Sequence, residues 1–211
     1  YSNVIYFPPT LPIILTLLIV RIIGLKHDIY ERRVPRTGFV FLSLIYCTLA
    51  PSKLGLLGIS TKTTGVYENI DIDGLKLKDK PLSVINNNDT RILWNGPKNW
   101  LLVSTKKDLL KNISQNLNET DFAVTDLSHS KAIIEIEGQD VKEVLKKGCP
   151  FNFNTLEKNN SINSTYNGIA FTVDMLDDNP DKVRLFALRS FGESLYHSIT
   201  DASLEFGFKS L

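Results

Sequence analysis

The stretch AVTDLSHSKAIIEIEGQDVKEVLKKGCP, residues 123–150, decides the fold of this chain because its local signals all agree. It opens with a short apolar run, which predicts a strand, and then reaches a polar corner. At that corner Asp126, Ser128 and Ser130 carry side chains that hydrogen-bond nearby backbone and so favour a turn. In Lys131–Glu137, apolar and charged side chains alternate, which predicts a second strand with one buried face.

A short helix is predicted directly after this second strand. Gly138 turns the chain, and Asp140 with Glu143 three residues later matches the capping-box pattern of a helix start. Gly148 suits a left-handed cap at the helix end, and Pro150 prevents the helix from continuing. The buried stripe of this helix is formed by three apolar residues: Val141, Val144 and Leu145.

On the amino-terminal side, the pattern predicts a hairpin followed by a helix. Arg91–Trp94 and Trp100–Ser104 read as strands, and the turn-forming residues Asn95–Asn99 join them. Thr105 is a suitable cap for the next helix, in which apolar residues from Leu109 to Leu117 share one face.

On the carboxyl-terminal side, Phe151–Asn167 is rich in Asn and Ser without periodicity and is predicted to be a surface loop. Strands are predicted at Ile169–Met175 and Val183–Arg189. Ser190 and Glu193 then form a second capping-box pattern at the start of the last helix. The predicted buried stripe of that helix is Phe191, Leu195, Ile199, Ala202 and Phe206.

The order of these elements predicts the fold class. From Trp100 to Met175 the chain reads strand, helix, strand, strand, helix, strand, which is the order of the split βαβ (ferredoxin-like) unit. We therefore expect an α+β domain with a mostly antiparallel sheet and helices packed on one face.

Residues 1–53 differ in kind from the rest of the chain. Two apolar runs, Leu11–Leu25 and Phe39–Ala50, flank a strongly charged segment. Neither run reaches the roughly 18 residues that a bilayer-spanning helix needs, and Arg21 lies inside the first. Two interpretations stay open: an extension foreign to the natural mature protein, and a membrane-associated hairpin. We expect the folded domain to comprise residues 54–211.

Composition excludes some classes of partner. The formal net charge is +1 and the basic residues are dispersed, so the chain has no basic surface of the kind that attracts nucleic acid. Its two cysteines, Cys47 and Cys149, are far apart, which predicts neither a disulfide framework nor a metal pair. A reducing compartment, the cytoplasm, fits this cysteine usage best.

Catalytic and metal-binding residues are not predicted anywhere in the chain. Ser128 and His129 are adjacent, but neighbours on an extended segment point to opposite sides, so His129 is not placed to activate the serine. Cys149 follows a helix end, where the helix dipole disfavours a thiolate, so packing is its expected role. His197 is expected on the exposed face of the last helix.

Several segments resemble the gamma subunit of heterotetrameric sarcosine oxidase. They are DLSHSKAIIEIEG at 126–138, VLKKGCPFNF at 144–153, RILWNGPKNWLLVS at 91–104, YNGIAFTVDM at 166–175 and RLFALRSFGESLYHSITDASLEFG at 184–207. Their order and spacing also fit that family, and the resemblance extends over roughly residues 54–211.

This resemblance implies a fold like the folate-binding aminomethyltransferase domain and a non-catalytic role. The family's complex oxidatively demethylates sarcosine to glycine with tetrahydrofolate and oxygen, giving 5,10-methylenetetrahydrofolate and hydrogen peroxide. The implied partners are the alpha, beta and delta subunits. FAD, FMN, NAD, tetrahydrofolate and zinc are expected in those subunits and not in this chain.

Two alternatives are kept. The first is a stand-alone folate-binding protein of the aminomethyltransferase type, for which Trp94 and Trp100 would stack on the pterin ring and Asp126 would supply the carboxylate beside it. Burial of both tryptophans against the sheet or a partner is the favoured interpretation of the same residues. The second alternative is a membrane-anchored interaction domain, which requires residues 1–53 to be native.

Overall fold

The structure is a computed structural model, and it describes residues 45–49, 54–62 and 70–210. In chain order its strands are β1 (Ile45–Leu49), β2 (Gly55–Thr61), β3 (Asp71–Ile72), β4 (Leu75–Lys76), β5 (Val84–Asn86), β6 (Thr90–Gly96), β7 (Asn99–Ser104), β8 (Phe122–Asp126), β9 (Lys131–Glu137), β10 (Ser161–Tyr166), β11 (Ile169–Asp178), β12 (Asp181–Leu188) and β13 (Phe208–Ser210). The helices are α1 (Lys107–Asn116), α2 (Val141–Lys146) and α3 (Gly192–Ser203), with single 3₁₀ turns at Phe153–Thr155 and Arg189–Phe191.

The strands form two large sheets and a small hairpin. The first sheet has six strands in the order β10-β11-β12-β9-β1-β13, and the second has five in the order β5-β6-β7-β2-β8. All neighbouring strands are antiparallel except β1 and β13, which are parallel. The predicted α+β class with mostly antiparallel pairing is therefore confirmed.

The predicted split βαβ unit is divided between the two sheets. In the five-stranded sheet, α1 connects β7 to β8, and β2 lies between these two strands. In the six-stranded sheet, β9 and β11 lie on either side of β12. The expectation that these elements form one sheet was wrong, because the polar corner after β8 leads the chain from the five-stranded sheet to the six-stranded sheet.

Three apolar clusters show how the sheets and helices are layered. The outer face of the six-stranded sheet packs against α2 and α3 through residues that include Ile134, Val144, Leu145, Val173, Leu185, Leu195 and Ile199. The outer face of the five-stranded sheet packs against α1 through residues that include Ile59, Ile92, Trp100, Leu102 and Ile113. The inner faces meet through Leu56, Val84, Leu93, Leu101, Val103 and Phe186. The helices therefore cover two outer faces, and not the single face that was predicted.

Strand β1 comes from within residues 1–53. It pairs with β9, where Thr48 lies opposite Glu135, and with β13, where Ile45 lies opposite Phe208. The six-stranded sheet therefore includes residues 45–49, which precede the domain boundary expected between residues 53 and 54. Residues 1–44 and 50–53 lie outside the described part of the chain, so the two interpretations of that segment stay predictions. The helices in the described ranges fall short of the length and apolar run that a membrane span requires.

Three predicted helix caps do not form. Thr105 and Ser190 lie outside the cap positions, which are Lys106 for α1 and Phe191 for α3, and Asp140 at the start of α2 makes no capping hydrogen bond through its side chain. Because α3 begins only at Gly192, Phe191 precedes the helix and is 48% exposed, so its predicted burial was wrong. Burial of their apolar faces accounts for these helices without the side-chain caps.

Gly148 has a different role from the predicted left-handed cap, because its φ is not positive. A Cβ at this position would lie 2.6 Å from the ring of Tyr166. The Tyr166 hydroxyl donates to the Val144 carbonyl at 3.1 Å, and the Gly148 carbonyl accepts from the Asn167 amide at 2.9 Å. Glycine is thus required for the close packing of Tyr166 on the end of α2.

The segment predicted as a loop at residues 151–167 contains a strand. Its second half forms β10, which pairs with β11 across a two-residue turn at Asn167 and Gly168, where both φ angles are positive. Asn-Gly is the preferred dipeptide of such hairpin turns. The pairing places β10 at the edge of its sheet, where polar side chains face solvent.

The two sheets are also joined by hydrogen bonds at one edge. The amide of Val84 donates to the Asn159 carbonyl at 3.0 Å, and the amide of Ser161 donates to the Leu82 carbonyl at 2.8 Å. This bridge connects the segment before β5 to the segment before β10, so the two sheets meet along one edge.

An ion pair between Arg91 and Asp174 crosses the space between the sheets. Arg91 of β6 donates from Nε to Asp174 Oδ2 at 2.9 Å and from Nη2 to Oδ1 at 2.7 Å, and the Asp174 side chain is fully buried. Burial raises the pKa of the Asp174 carboxyl, and the hydrogen bonds from Arg91 oppose that rise. Arg91 therefore compensates a carboxylate that has lost its water.

The β3–β4 hairpin is attached to the five-stranded sheet through Asp73. The Asp73 carboxylate accepts from Asn87 Nδ2, Thr90 Oγ1 and Lys106 Nζ, each at 2.9 Å. Hydrogen bonds from Asn87, then Lys106 and Thr90, lower the pKa of Asp73 from 3.8 to about 2. The network needs the ionised form, because Asp73 acts only as an acceptor in it.

We predict that Arg91→Met destabilises the full chain by about 3–5 kcal/mol, because it leaves Asp174 buried without its partner. The double variant Arg91→Met/Asp174→Leu is expected to recover much of that loss. Urea unfolding measures both. Lys158→Met is the control: its pair with Asp177 is half-exposed and screened by solvent, so a much smaller loss than that of Arg91→Met is expected. A double variant as unstable as the single one would contradict this account.

We also predict a specific acid sensitivity of the β3–β4 attachment. Since the folded pKa of Asp73 is depressed, its stabilising contribution is present above its ordinary pKa of 3.8 and is lost as the pH falls towards about 2. Urea unfolding between these two pH values should therefore show a shallower decline for Asp73→Asn than for the wild type. Parallel declines would mean that Asp73 does not carry this part of the acid response.

Candidate functional site

A shallow cleft of about 220 Å³ lies on the inner face of the five-stranded sheet. It is formed where β2, β7 and β8 extend beyond the apolar core between the two sheets. There the inward-facing residues of these strands are not covered by the other sheet. Gly58 leaves space at the bottom of the cleft, where a Cβ would lie 3.1 Å from Leu127 Cδ1. The lining residues are Gly58, Ser60, Asn95, Asn99, Trp100, Leu101, Ala123, Thr125 and Leu127.

The chemistry of this cleft is neutral. Among the described residues that line it, the polar groups are the hydroxyls of Ser60 and Thr125 and the amides of Asn95 and Asn99, and none of these described residues carries a titratable side chain. The volume is below the 300–1,000 Å³ typical of small-molecule sites. Such a lining can accept and donate hydrogen bonds, but it offers a substrate neither a general base nor a charge. The described lining therefore suits hydrogen-bonded contact.

The two tryptophans use their polar groups inside the chain. Trp94 and Trp100 lie opposite each other on β6 and β7. Trp94 Nε1 donates to Asp79 Oδ1 at 2.7 Å, and Trp100 Nε1 donates to the Lys78 carbonyl at 2.9 Å. Trp100 is only 1% exposed and belongs to the core beneath α1, so its ring has no free face for a pterin.

Asp126 does not join the tryptophans in one site. It lies opposite Leu57 on β2, two residues along that strand from Ile59, which lies opposite Trp100. Hydrogen bonds from the hydroxyl and then the amide of Ser128 lower the pKa of the Asp126 carboxyl. The carboxylate therefore serves the turn at the end of β8, and no geometry links it to Trp94.

The polar corner after β8 has the structural role that the sequence predicts. Ser128 Oγ accepts from the Leu56 amide at 3.0 Å, and the Ser128 amide donates to Asp126 Oδ1 at 2.9 Å. These bonds fasten the corner to the start of β2. His129 is exposed beside them and forms no pair with the Ser128 hydroxyl, as the alternation of side chains predicts.

The remaining candidates are also placed in structural positions. Cys149 is a buried free thiol that donates to Ser164 Oγ at 3.2 Å, in agreement with the predicted packing role. His197 is exposed on α3 and lies 3.8 Å from Glu193, so its position on the wet face is confirmed. Within the described ranges, no three His, Cys, Asp or Glu side chains are close enough to hold a metal ion.

Two important polar contacts were missed in the sequence. Asp79 connects the Trp94 indole to the β6–β7 turn by also accepting from the Lys98 amide at 3.3 Å. Arg91 and Asp174 form the inter-sheet pair. A usable signal existed for the second contact: Asp174 stands within the apolar run of β11, and a charge in a buried strand requires a partner. Which partner it finds depends on the tertiary fold.

The sequence matches a known family model. The profile of the sarcosine oxidase gamma subunit family matches residues 69–205, which is more than half of the chain. The sarcosine oxidase subunit gamma of Corynebacterium sp. (strain U-96) is 29% identical over 120 residues. That alignment covers 56% of this chain and 58% of the relative, so the chain matches little more than half the length of that relative.

Solved structures show the same fold. A chain of the heterotetrameric sarcosine oxidase from Corynebacterium sp. U-96, in complex with pyrrole 2-carboxylate, superimposes with a TM-score of 0.69 at 22% identity, covering 78% of this chain and 89% of that chain. The glycine cleavage system aminomethyltransferase T from Bartonella henselae gives 0.60 at 10% identity, covering 80% and 48%. The predicted resemblance to the aminomethyltransferase fold is confirmed.

The family match lies within the residues that build both sheets, and it agrees with the segments that carry the resemblance in the sequence. The chain belongs to the sarcosine oxidase gamma subunit family.

Proposed function

We propose that this chain is a non-catalytic gamma subunit of a heterotetrameric sarcosine oxidase complex, assembled with alpha, beta and delta subunits. The observation that carries the proposal is the family match over residues 69–205. The geometry supports it, because residues within the resembling segments form packing contacts: Arg91 pairs with Asp174, Ser128 holds Leu56, and Gly148 accommodates Tyr166.

The proposed complex converts sarcosine to glycine by oxidative demethylation in the cytoplasm. Tetrahydrofolate and oxygen are consumed, and 5,10-methylenetetrahydrofolate and hydrogen peroxide are formed. FAD, FMN, NAD, tetrahydrofolate and zinc belong to the partner subunits in this proposal. Two observations on the described residues support this assignment: the lining of the cleft is neutral, and Asp126 is separated from both tryptophans. In this proposal the chain contributes structural contacts to the complex and no catalytic residues.

Co-expression of the full chain with the alpha, beta and delta subunits tests this proposal. We predict that the chain copurifies with them, and that sarcosine-dependent peroxide formation requires the other subunits and is absent from this chain alone. A matched preparation without this chain reports its effect on assembly. Failure to copurify where the other three subunits assemble would overturn the proposal, and so would turnover by the chain alone.

The aminomethyltransferase-like alternative is distinguished by a direct binding measurement. It rests on a likeness of fold at 10% identity, and Trp94, Trp100 and Asp126 do not converge on one site. We therefore predict no binding heat when tetrahydrofolate is titrated into the purified full chain. Saturable binding that is weakened by Asp126→Asn would favour the alternative. A membrane-anchored interaction domain remains a prediction about residues 1–53, and fractionation of the full chain would test it.

A further inference from the structure

An exposed apolar corner lies at the end of β12. Leu188 and Phe191 are 47% and 48% exposed, and in the described part of the chain the other large apolar side chain with comparable exposure is Leu82, at 38%. Leu188 and Phe191 lie within four residues of each other, at the turn that leads into α3. Apolar side chains exposed close together often mark a contact with another protein.

The backbone of this corner is fixed. The Arg189 amide donates to the Ser130 carbonyl at 2.9 Å, which ties the turn to the start of β9. Gly192 packs so closely against Ala132 that a Cβ at position 192 would lie 2.6 Å from the Ala132 Cβ. The corner therefore presents Leu188 and Phe191 from an ordered backbone, and binding would not have to order that backbone first.

The charges beside the corner are positive and unpaired. Lys131 lies opposite Leu188 on β9, so their side chains share one face of the sheet. Within the described ranges, neither Lys131 nor Arg189 forms an ion pair, and desolvation by burial lowers the pKa of Lys131. Two acids near them in the sequence have other contacts: Asp126 accepts from the Ser128 amide, and Glu193 lies 3.8 Å from His197.

We propose that this basic apolar corner, made of Leu188, Phe191, Lys131 and Arg189, is the surface through which the chain docks onto an apolar, acid-lined surface of a partner subunit. The inference rests on the proposed function and assigns the docking to one end of the six-stranded sheet. Charge complementarity indicates the chemistry of the partner surface. The Lys131 amine is already partly desolvated in the free chain, so a partner carboxylate could pair with it at a smaller desolvation cost. The two apolar side chains would fill the centre of the contact.

The apolar part of the corner is tested in the co-expressed complex with the full chain. We expect Leu188→Asp/Phe191→Asp to reduce the affinity for the other subunits by about tenfold or more, because truncated or charged anchors cost at least that much in protein interfaces. Leu82→Asp is the matched control, since Leu82 is also exposed but lies beside β5, and its φ of +65° tolerates Asp. It should bind as the wild type does.

The charged part is tested by Lys131→Glu/Arg189→Glu, which leaves the apolar clusters untouched. We expect this variant to bind more weakly than the wild type at low salt, with the difference shrinking as salt is raised. Far-UV circular dichroism and urea unfolding of the full chain confirm that each variant is folded. Wild-type affinity in both the Asp and the Glu double variants would overturn the docking surface. Failure of the wild-type chain itself to copurify would instead overturn the proposed function.

Discussion

The arrangement of the domain depends on the bidentate contact between Arg91 and Asp174. Two sheets packed face to face are expected to meet through apolar side chains alone, and here Leu93 and Phe186 belong to such a core. The ion pair sets a fully buried carboxylate beside that core. Because a buried charge is tolerated only with its partner in place, one relative placement of β6 and β11 is favoured over other apolar packings. Apolar contact supplies the cohesion of the two sheets, and we expect the ion pair to select their relative placement.

Much of the local structure could be predicted because period and turn chemistry are local properties. The β6–β7 hairpin, both strands around the polar corner and the helix after Gly138 all lie where the spacing of apolar side chains and the turn residues place them. The helix starts were less predictable, because Thr105 and Ser190 fit a sequence pattern without occupying the cap positions. Strand β10 was missed because its residues are polar, although the Asn-Gly pair that follows it was a hairpin signal.

The division into two sheets could not be predicted from element order alone. A run of strand, helix, strand, strand, helix, strand is compatible with one sheet or two, and the choice is made by the four-residue corner between β8 and β9. Its hydrogen bonds to Leu56 are long-range contacts, which no periodicity reveals. The same holds for the candidate site: Trp94, Trp100 and Asp126 lie on β6, β7 and β8. Their hydrogen-bond partners Asp79, Lys78 and Ser128, which the sequence pattern does not reveal, determine their roles.

The parallel pairing of β1 with β13 has a consequence for synthesis of the protein. Ile45 lies beside Phe208, so this edge of the six-stranded sheet joins segments from nearly opposite parts of the sequence. A ribosome releases the first of these strands long before the second, and such distant pairings form slowly. Until the last strand emerges, β1 has an open edge, which is the kind of surface that nascent-chain chaperones shield from aggregation.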